Sequence, residues 1–302
     1  MRSNVKRVCF FLCMLVVCVV GCKVFYRAES YFIERNQFIY RNDKANIDLS
    51  TYSPIISDSG EWYKKYHIIS HGGGEIGGKC NTNSAEAWEK SYLKGNRIFD
   101  ADLAFTGDHI LVLRHEWSDD LGQDNISEDR IPDYEEFMNT PIHSLYTPMS
   151  CYDMITFMNK YDDCYVACDF KDGEADTFEF LVNAAWQMNC VDILDRIIVS
   201  FYSYEQYREI KAVFKFKNWA IRQYENEPHN YYELAEFCLK NRIPVVMIKA
   251  AYLDAGDDIS VLTENGITVF NAVINNLEEY REYEKQGVSG CVSDFISEKD
   301  LK

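Results

Sequence analysis

From residue 66 onward the chain alternates short apolar runs with amphipathic stretches of helical length. Runs of four to eight residues rich in β-branched and aromatic side chains read as buried strands. They predict strands at 67–70, 97–103, 110–115, 165–171, 197–201, 219–223, 245–248, 267–273 and 290–294. The amphipathic stretches predict helices at 83–93, 152–160, 177–188, 204–213, 231–240 and 277–286. Ser84, Ser150 and Ser203 stand where a hydroxyl can accept a first-turn N–H and cap three of them. Strand and helix in alternation over this length predict a parallel sheet with helices outside, and about eight repeats favour closure into an α/β TIM (β/α)8 barrel.

Two features distort that pattern. Residues 104–109 are a turn with no room for a helix, so the crossover between the second and third strands is missing or replaced by local hairpin pairing. Nine apolar runs in place of eight mean that one is misread or peripheral. After His115 the acidic, turn-rich residues 118–148 form an insertion which, on the rim of a barrel, acts as a lid or substrate loop.

Residues 61–302 therefore form one barrel domain, preceded by a polar stalk at 28–60 and an N-terminal segment at 1–27. In that segment Arg2, Lys6 and Arg7 precede the apolar run 8–20, the order of an export signal with its charged end inside. It is read as an uncleaved signal anchor, as a lipoprotein signal cleaved before Cys22, or as a signal removed entirely. Each reading exports the domain, and the first two hold it on the outer side of the cell membrane. The net charge is −17, and since 1–27 carry five Lys or Arg and no acid the remainder stands at −22. Nucleic acid, which is bound by neutralising phosphates with Lys and Arg, is excluded as a partner. No obligate protein partner is evident. Seven of the 11 cysteines lie beyond the N-terminal segment 1–27, in no paired zinc-ribbon spacing, and Cys164 and Cys168 read as core fillers on one strand face.

Alternate residues of a strand share a face, so Asp100 and Asp102 point together, as do Asp169 and Lys171. Paired carboxylates repel unless a cation lies between them, and oxygen-only ligands favour Mg²⁺ or Ca²⁺. His71 and His115 fall at ends of apolar runs and suit proton transfer near neutrality. Taken one by one, these features have plainer readings: a solvated strand end, a structural histidine, and a tight turn at His71-Gly72-Gly73-Gly74.

Their order carries more. His71, Thr82-Asn83-Ser84-Ala85-Glu86-Ala87-Trp88, Phe99-Asp100-Ala101-Asp102-Leu103, Thr106-Gly107-Asp108, Leu113-Arg114-His115-Glu116, Asp169-Phe170-Lys171 and the closing Ser293-Asp294 resemble the glycerophosphodiester phosphodiesterase family, over about residues 66–296. That family is a TIM-barrel branch related to the phosphatidylinositol-specific phospholipases C. The resemblance implies hydrolysis of a small-molecule or lipid-headgroup phosphodiester, with His71 and His115 as general acid and base. It implies one divalent cation on Asp100, Asp102 and Asp169, Lys171 facing the phosphate, and attack by a neighbouring hydroxyl through a cyclic phosphate. The chain departs from the pattern at Gly72, where many relatives carry a phosphate-contacting arginine, so backbone N–H groups of Gly72 and Gly73 are candidates for that contact. Thr82 replaces the glutamate of the usual Glu-Asn-Thr, and Asp100 and Asp169 replace longer acids. A phospholipase-C-like lyase and a catalytically silent binder of the same fold are the alternatives.

Overall fold

The computed structural model describes residues 47–53, 55, 61–123, 126–171, 173–224, 230–254, 256 and 258–302. The segment 1–27 and most of the stalk lie outside them. No helix among the described residues is long and apolar enough to cross a membrane. The chain divides into two units, Met1–Asp48 with Asn226–Leu234, and Leu49–Glu225 with Ala235–Lys302. In the first, Asn230 starts a helix by accepting hydrogen bonds from Tyr232, Glu233 and Leu234. The second is the barrel.

Its strands are β1 (Ile68–Ser70), β2 (Ile98–Phe105), β3 (Leu111–Leu113), β4 (Tyr165–Phe170), β5 (Ile197–Phe201), β6 (Asn218–Gln223), β7 (Val245–Lys249), β8 (Thr268–Ala272) and β9 (Gly290–Ser293). Eight run parallel in the order β1-β9-β8-β7-β6-β5-β4-β2, and the β1–β2 pairing closes the ring. All nine expected strands are present, and the peripheral one is β3, which pairs antiparallel with β2 alone. The hairpin forms because Thr106 and Ile110 close the turn, Thr106 N–H donating to the Ile110 carbonyl at 3.0 Å with His109 at φ 64°.

The helices are α1 (Trp62–Lys65), α2 (Ala85–Leu93), α3 (Tyr134–Asn139), α4 (Cys151–Lys160), α5 (Glu174–Gln187), α6 (Tyr204–Val213), α7 (Tyr231–Asn241), α8 (Ala250–Asp254), α9 (Ser260–Glu264) and α10 (Leu277–Glu284). Ser84, Ser150 and Ser203 cap α2, α4 and α6 as expected, the last two with reciprocal capping boxes through Asp153 and Gln206. The described residues of the insertion 118–148 include a packed segment. Phe137 of α3 meets Trp117 edge to face at 5.7 Å, and both join Ala104 and Val112 in a small core. Trp117 is thus packing, and buried Arg114 secures the insertion by donating to the carbonyls of Glu116 and Asp119 and to Gln123.

Strand parity decides what lies inside the barrel. Ile98, Ala167, Ile198 and Ala220, on β2, β4, β5 and β6, are completely buried in one interior cluster with Trp62 of α1, which closes the N-terminal end. Two residues further along each strand, facing the same way, come Asp100, Asp169, Ser200 and Arg222. Two more bring Asp102, itself two past Asp100, and Lys171, Tyr202 and Tyr224. The interior changes from apolar to charged within one pleat, towards the strand C-termini where barrels of this kind carry their sites.

Candidate active site

The charged layer is a closed set of ion pairs. Arg222 Nη2 donates to Asp100 Oδ1 at 2.5 Å, and Nη1 lies 3.7 Å from Asp169 Oδ2. Lys171 Nζ bridges Asp169 Oδ2 at 2.7 Å and Asp102 Oδ1 at 3.1 Å. The remaining oxygens of Asp102 and Asp169 also accept hydrogen bonds, Asp102 Oδ2 from Asn83 Nδ2 at 2.9 Å and Asp169 Oδ1 from the Tyr202 hydroxyl at 2.6 Å. Burial pushes the Asp100 carboxyl above its ordinary range despite Arg222. Burial acts on Asp169 in the same sense, but Arg222, Lys171 and the Tyr202 hydroxyl outweigh it and hold that carboxyl low. Burial would lower Lys171, yet the charges of Asp102 and Asp169 keep its ammonium protonated well past the ordinary lysine value.

The two histidines are each paired with an acid. His71 opens a one-turn 3₁₀ helix directly after β1, and its Nδ1 hydrogen-bonds Asp294 Oδ1 at 2.9 Å. Asp294 follows β9 and is itself steadied by Asn275 Nδ2, which donates to Oδ2 at 2.7 Å. Burial draws the His71 pKa down, but the hydrogen bond to Asp294 and the charges of Asp100, Asp294 and Asp102 more than reverse it, so the imidazolium persists above its usual range. Asp294 is shifted the other way: burial raises it, and His71 with Asn275 brings it below the ordinary carboxylate value. His115 lies two residues beyond β3, where its Nδ1 is 3.0 Å from Asp119 Oδ2.

Gly72, Gly73 and Gly74 follow His71 with φ of 48°, 87° and 92°. A Cβ on Gly72 would stand 2.1 Å from Asn81 Oδ1, and one on Gly73 2.2 Å from Trp88 Cδ1. Close packing and left-handed backbone together account for glycine here, so the absence of an arginine side chain at Gly72 has a steric cause.

The structure thus gathers Asp100 and Asp102 from within β2, Asp169 near the end of β4 and Lys171 just after it, with His71 near enough to feel both Asp100 and Asp102. An ion on the three aspartates does not fit this arrangement, because five of their six carboxylate oxygens already accept from Arg222, Lys171, Asn83 or Tyr202. Among the described residues the acids and histidine whose ligand atoms converge, within 4.8 Å, are His115, Glu116 and Asp119, a group that could hold a metal ion. Sequence reasoning missed Arg222, Tyr202, Asn83, Asp119 and Asp294 as members of the site. A strand-interior arginine such as Arg222 was the one available signal.

No protein-family model matches the sequence, and no curated protein matches it. Solved structures do resemble the fold. A phosphodiesterase of Oleispira antarctica, solved in complex with the product sn-glycerol-3-phosphate, superposes with a TM-score of 0.63 at 16% identity, covering 78% of this chain and 95% of that one. A protein of Silicibacter pomeroyi described as a glycerophosphoryl diester phosphodiesterase gives 0.62 at 14% identity over 76% of this chain and 90% of its own. The glycerophosphodiester phosphodiesterase of Thermotoga maritima gives 0.57 at 17% identity, covering 76% and 94%. At these identities the likeness establishes the architecture. The chain is a TIM barrel of the form on which glycerophosphodiester phosphodiesterases are built.

Proposed function

We propose that this protein is a phosphoric diester hydrolase acting on glycerophosphodiesters or a related lipid-headgroup phosphodiester. The observation that carries the reading is the convergence at one barrel rim of Lys171 with His71, a histidine held on a carboxylate by its Nδ1, while His115 is held likewise nearby in sequence to β3. With Nδ1 fixed by Asp294, the Nε2 of His71 is the nitrogen left to exchange a proton with substrate, and its raised pKa suits it to be the general acid for the departing alkoxide. His115, oriented by Asp119, is then the base that takes the proton of the attacking hydroxyl. Attack by the glycerol's own neighbouring hydroxyl gives a cyclic phosphate, which water opens in a second step. The Lys171 ammonium meets the charge that builds on the non-bridging oxygens. The Mg²⁺ or Ca²⁺ expected from the sequence has no step in this scheme.

The test is turnover of glycerophosphocholine, glycerophosphoinositol and phosphatidylinositol by the full-length protein, with products followed by phosphorus NMR. Release of a glycerol phosphate is expected from the two glycerophosphodiesters, whose glycerol hydroxyls are free, and His71→Ala and His115→Ala should each lose about 10²–10⁴-fold in kcat. No turnover of any of the three would overturn the reading, and accumulation of a cyclic phosphate would convert it to a lyase. We further propose that residues 1–27 tether the barrel to the outer face of the membrane, as Arg2, Lys6, Arg7 and the apolar run suggest. The mass of the mature N-terminus tests this: an intact Met1 or a lipidated Cys22 is expected, and a free N-terminus beyond residue 27 would refute it.

A further inference from the structure

The geometry points to a metal-free site: we propose that Arg222 and Lys171 supply from the chain itself the positive charge that a divalent ion would otherwise bring to Asp100, Asp102, Asp169 and the substrate phosphate. The inference rests on the phosphodiesterase reading and deepens it.

Arg222 projects from β6 into the barrel, where it is 3% exposed against Asp100 at 1%. A guanidinium so buried is held by its partners, because leaving either charge unpaired in a dry interior costs several kcal/mol. It therefore stays beside Asp100 and Asp169. Lys171 engages the other side of the group, on Asp102 and Asp169. A hard divalent ion seeks about six or more oxygen ligands at ~2.0–2.6 Å. To take one oxygen from each aspartate it would have to displace Lys171, Asn83 or Tyr202 from Asp102 and Asp169 and settle next to a guanidinium that cannot withdraw. Two fixed cations against three carboxylates leave a single negative charge.

The same arrangement leaves a means of binding phosphate. An ammonium has three N–H donors, and Lys171 uses one each on Asp169 at 2.7 Å and Asp102 at 3.1 Å. Its side chain is 21% exposed, which leaves the third N–H for a non-bridging oxygen. Lys171 touches the substrate in this scheme, and Arg222 is a positioning residue that neutralises Asp100 and Asp169 from beneath.

Two measurements test the proposal. The first is the anomalous signal of crystals soaked in Mn²⁺, and the second is turnover by the full-length protein in EDTA and after addition of Mg²⁺ or Ca²⁺. In the wild type no Mn²⁺ is expected on Asp100, Asp102 or Asp169, and turnover should be the same in EDTA as with either ion. A peak confined to His115, Glu116 and Asp119, with EDTA-insensitive turnover, counts in favour. Arg222→Ala should open the carboxylates: Mn²⁺ should now appear there, and turnover in EDTA should fall about 10²–10³-fold, the loss that follows removal of one fixed electrostatic stabiliser. If Arg222→Ala does not fold, Lys171→Gln carries the same expectation of a gained ion. A wild-type Mn²⁺ peak on the three aspartates, or EDTA-sensitive turnover restored by Mg²⁺ or Ca²⁺, overturns the proposal, as does failure of every folded variant to gain the ion. Absence of turnover on all substrates would sink the phosphodiesterase reading and still leave the crystallographic result to decide this one.

Discussion

Asp294→Asn removes the charge next to His71 Nδ1 while leaving an oxygen able to accept its N–H, so it isolates the electrostatic part of the pair. An opposite charge this close typically moves a pKa by about 1–3 units. The contact is 2.9 Å, and solvent screens it only in part because the His71 side chain is 24% exposed. Its loss returns the advantage to burial, which already favours the neutral ring, so the His71 pKa should fall. As general acid His71 must carry its proton, so the alkaline limb of the kcat/KM profile should move to lower pH, with kcat/KM above the limb falling about tenfold for each pH unit of that displacement. Stability should follow with a defined sign. His71, raised in the folded state, contributes stability that is complete below the unfolded imidazole pKa and is lost as pH rises through the folded one. Asp294, lowered, contributes stability present above the ordinary carboxylate pKa and lost as pH falls through its folded value. The Tm gap between wild type and variant should therefore be widest between the carboxylate and imidazole ranges and close on either side. An unmoved alkaline limb would refute the role of Asp294, and a shift confined to the acid limb would show His71 to be the base.

Gly73→Ala places a Cβ 2.2 Å from Trp88 Cδ1 at φ +87°, against an indole stacked on Phe99, and should cost about 2–4 kcal/mol by urea denaturation from overpacking and left-handed strain together. Ser150→Ala removes the hydroxyl that accepts the Asp153 N–H and donates to the Asp153 carboxylate, leaving only the Ser150 backbone N–H on that carboxylate, and should cost about 0.5–2 kcal/mol in the same assay, without moving KM. In a double-mutant cycle, Asp100→Leu and Arg222→Leu should each cost about 3–5 kcal/mol, whereas the double variant should cost less than either; additive losses would show that the two charges do not depend on one another.

The barrel was legible because parallel strands buried on both faces read as continuous apolar runs whatever their neighbours. All nine were visible in this way, and the absence of room between Phe105 and Leu111 disclosed the hairpin. Four helices were not, α1, α3, α8 and α9, since four to six residues make less than two turns and show no helical period. The site was legible where polar residues end an apolar run, as His71, Asp100, Asp102 and Lys171 do. It was hidden where the decisive fact is which of several acids meets which base. The chain carries 48 Asp and Glu, and only the closure of β9 beside β1 selects Asp294 for His71.

Arg222 shows the same limit from the other side. In Trp219-Ala220-Ile221-Arg222-Gln223 either parity is compatible with a buried strand, and an arginine on the outer face would lie under a helix. The register of β6 with β5, Ser200 beside Ala220 and Phe201 beside Ile221, puts Arg222 one residue past the last paired position, and from there its guanidinium reaches Asp100 of β2 and Asp169 of β4. Once one carboxylate faces a dry interior its neighbours are no longer free to vary, because every uncompensated charge there costs more than a typical packing contact contributes. Three inward acids on two strands therefore demand cations from the adjoining positions of the same layer, and the chain meets that demand with Lys171 two residues after Asp169 and with Arg222 two strands away from it. What a strand-by-strand reading treats as an isolated pair of acids is, after closure of the ring, one electrostatic unit whose composition the barrel's register dictates.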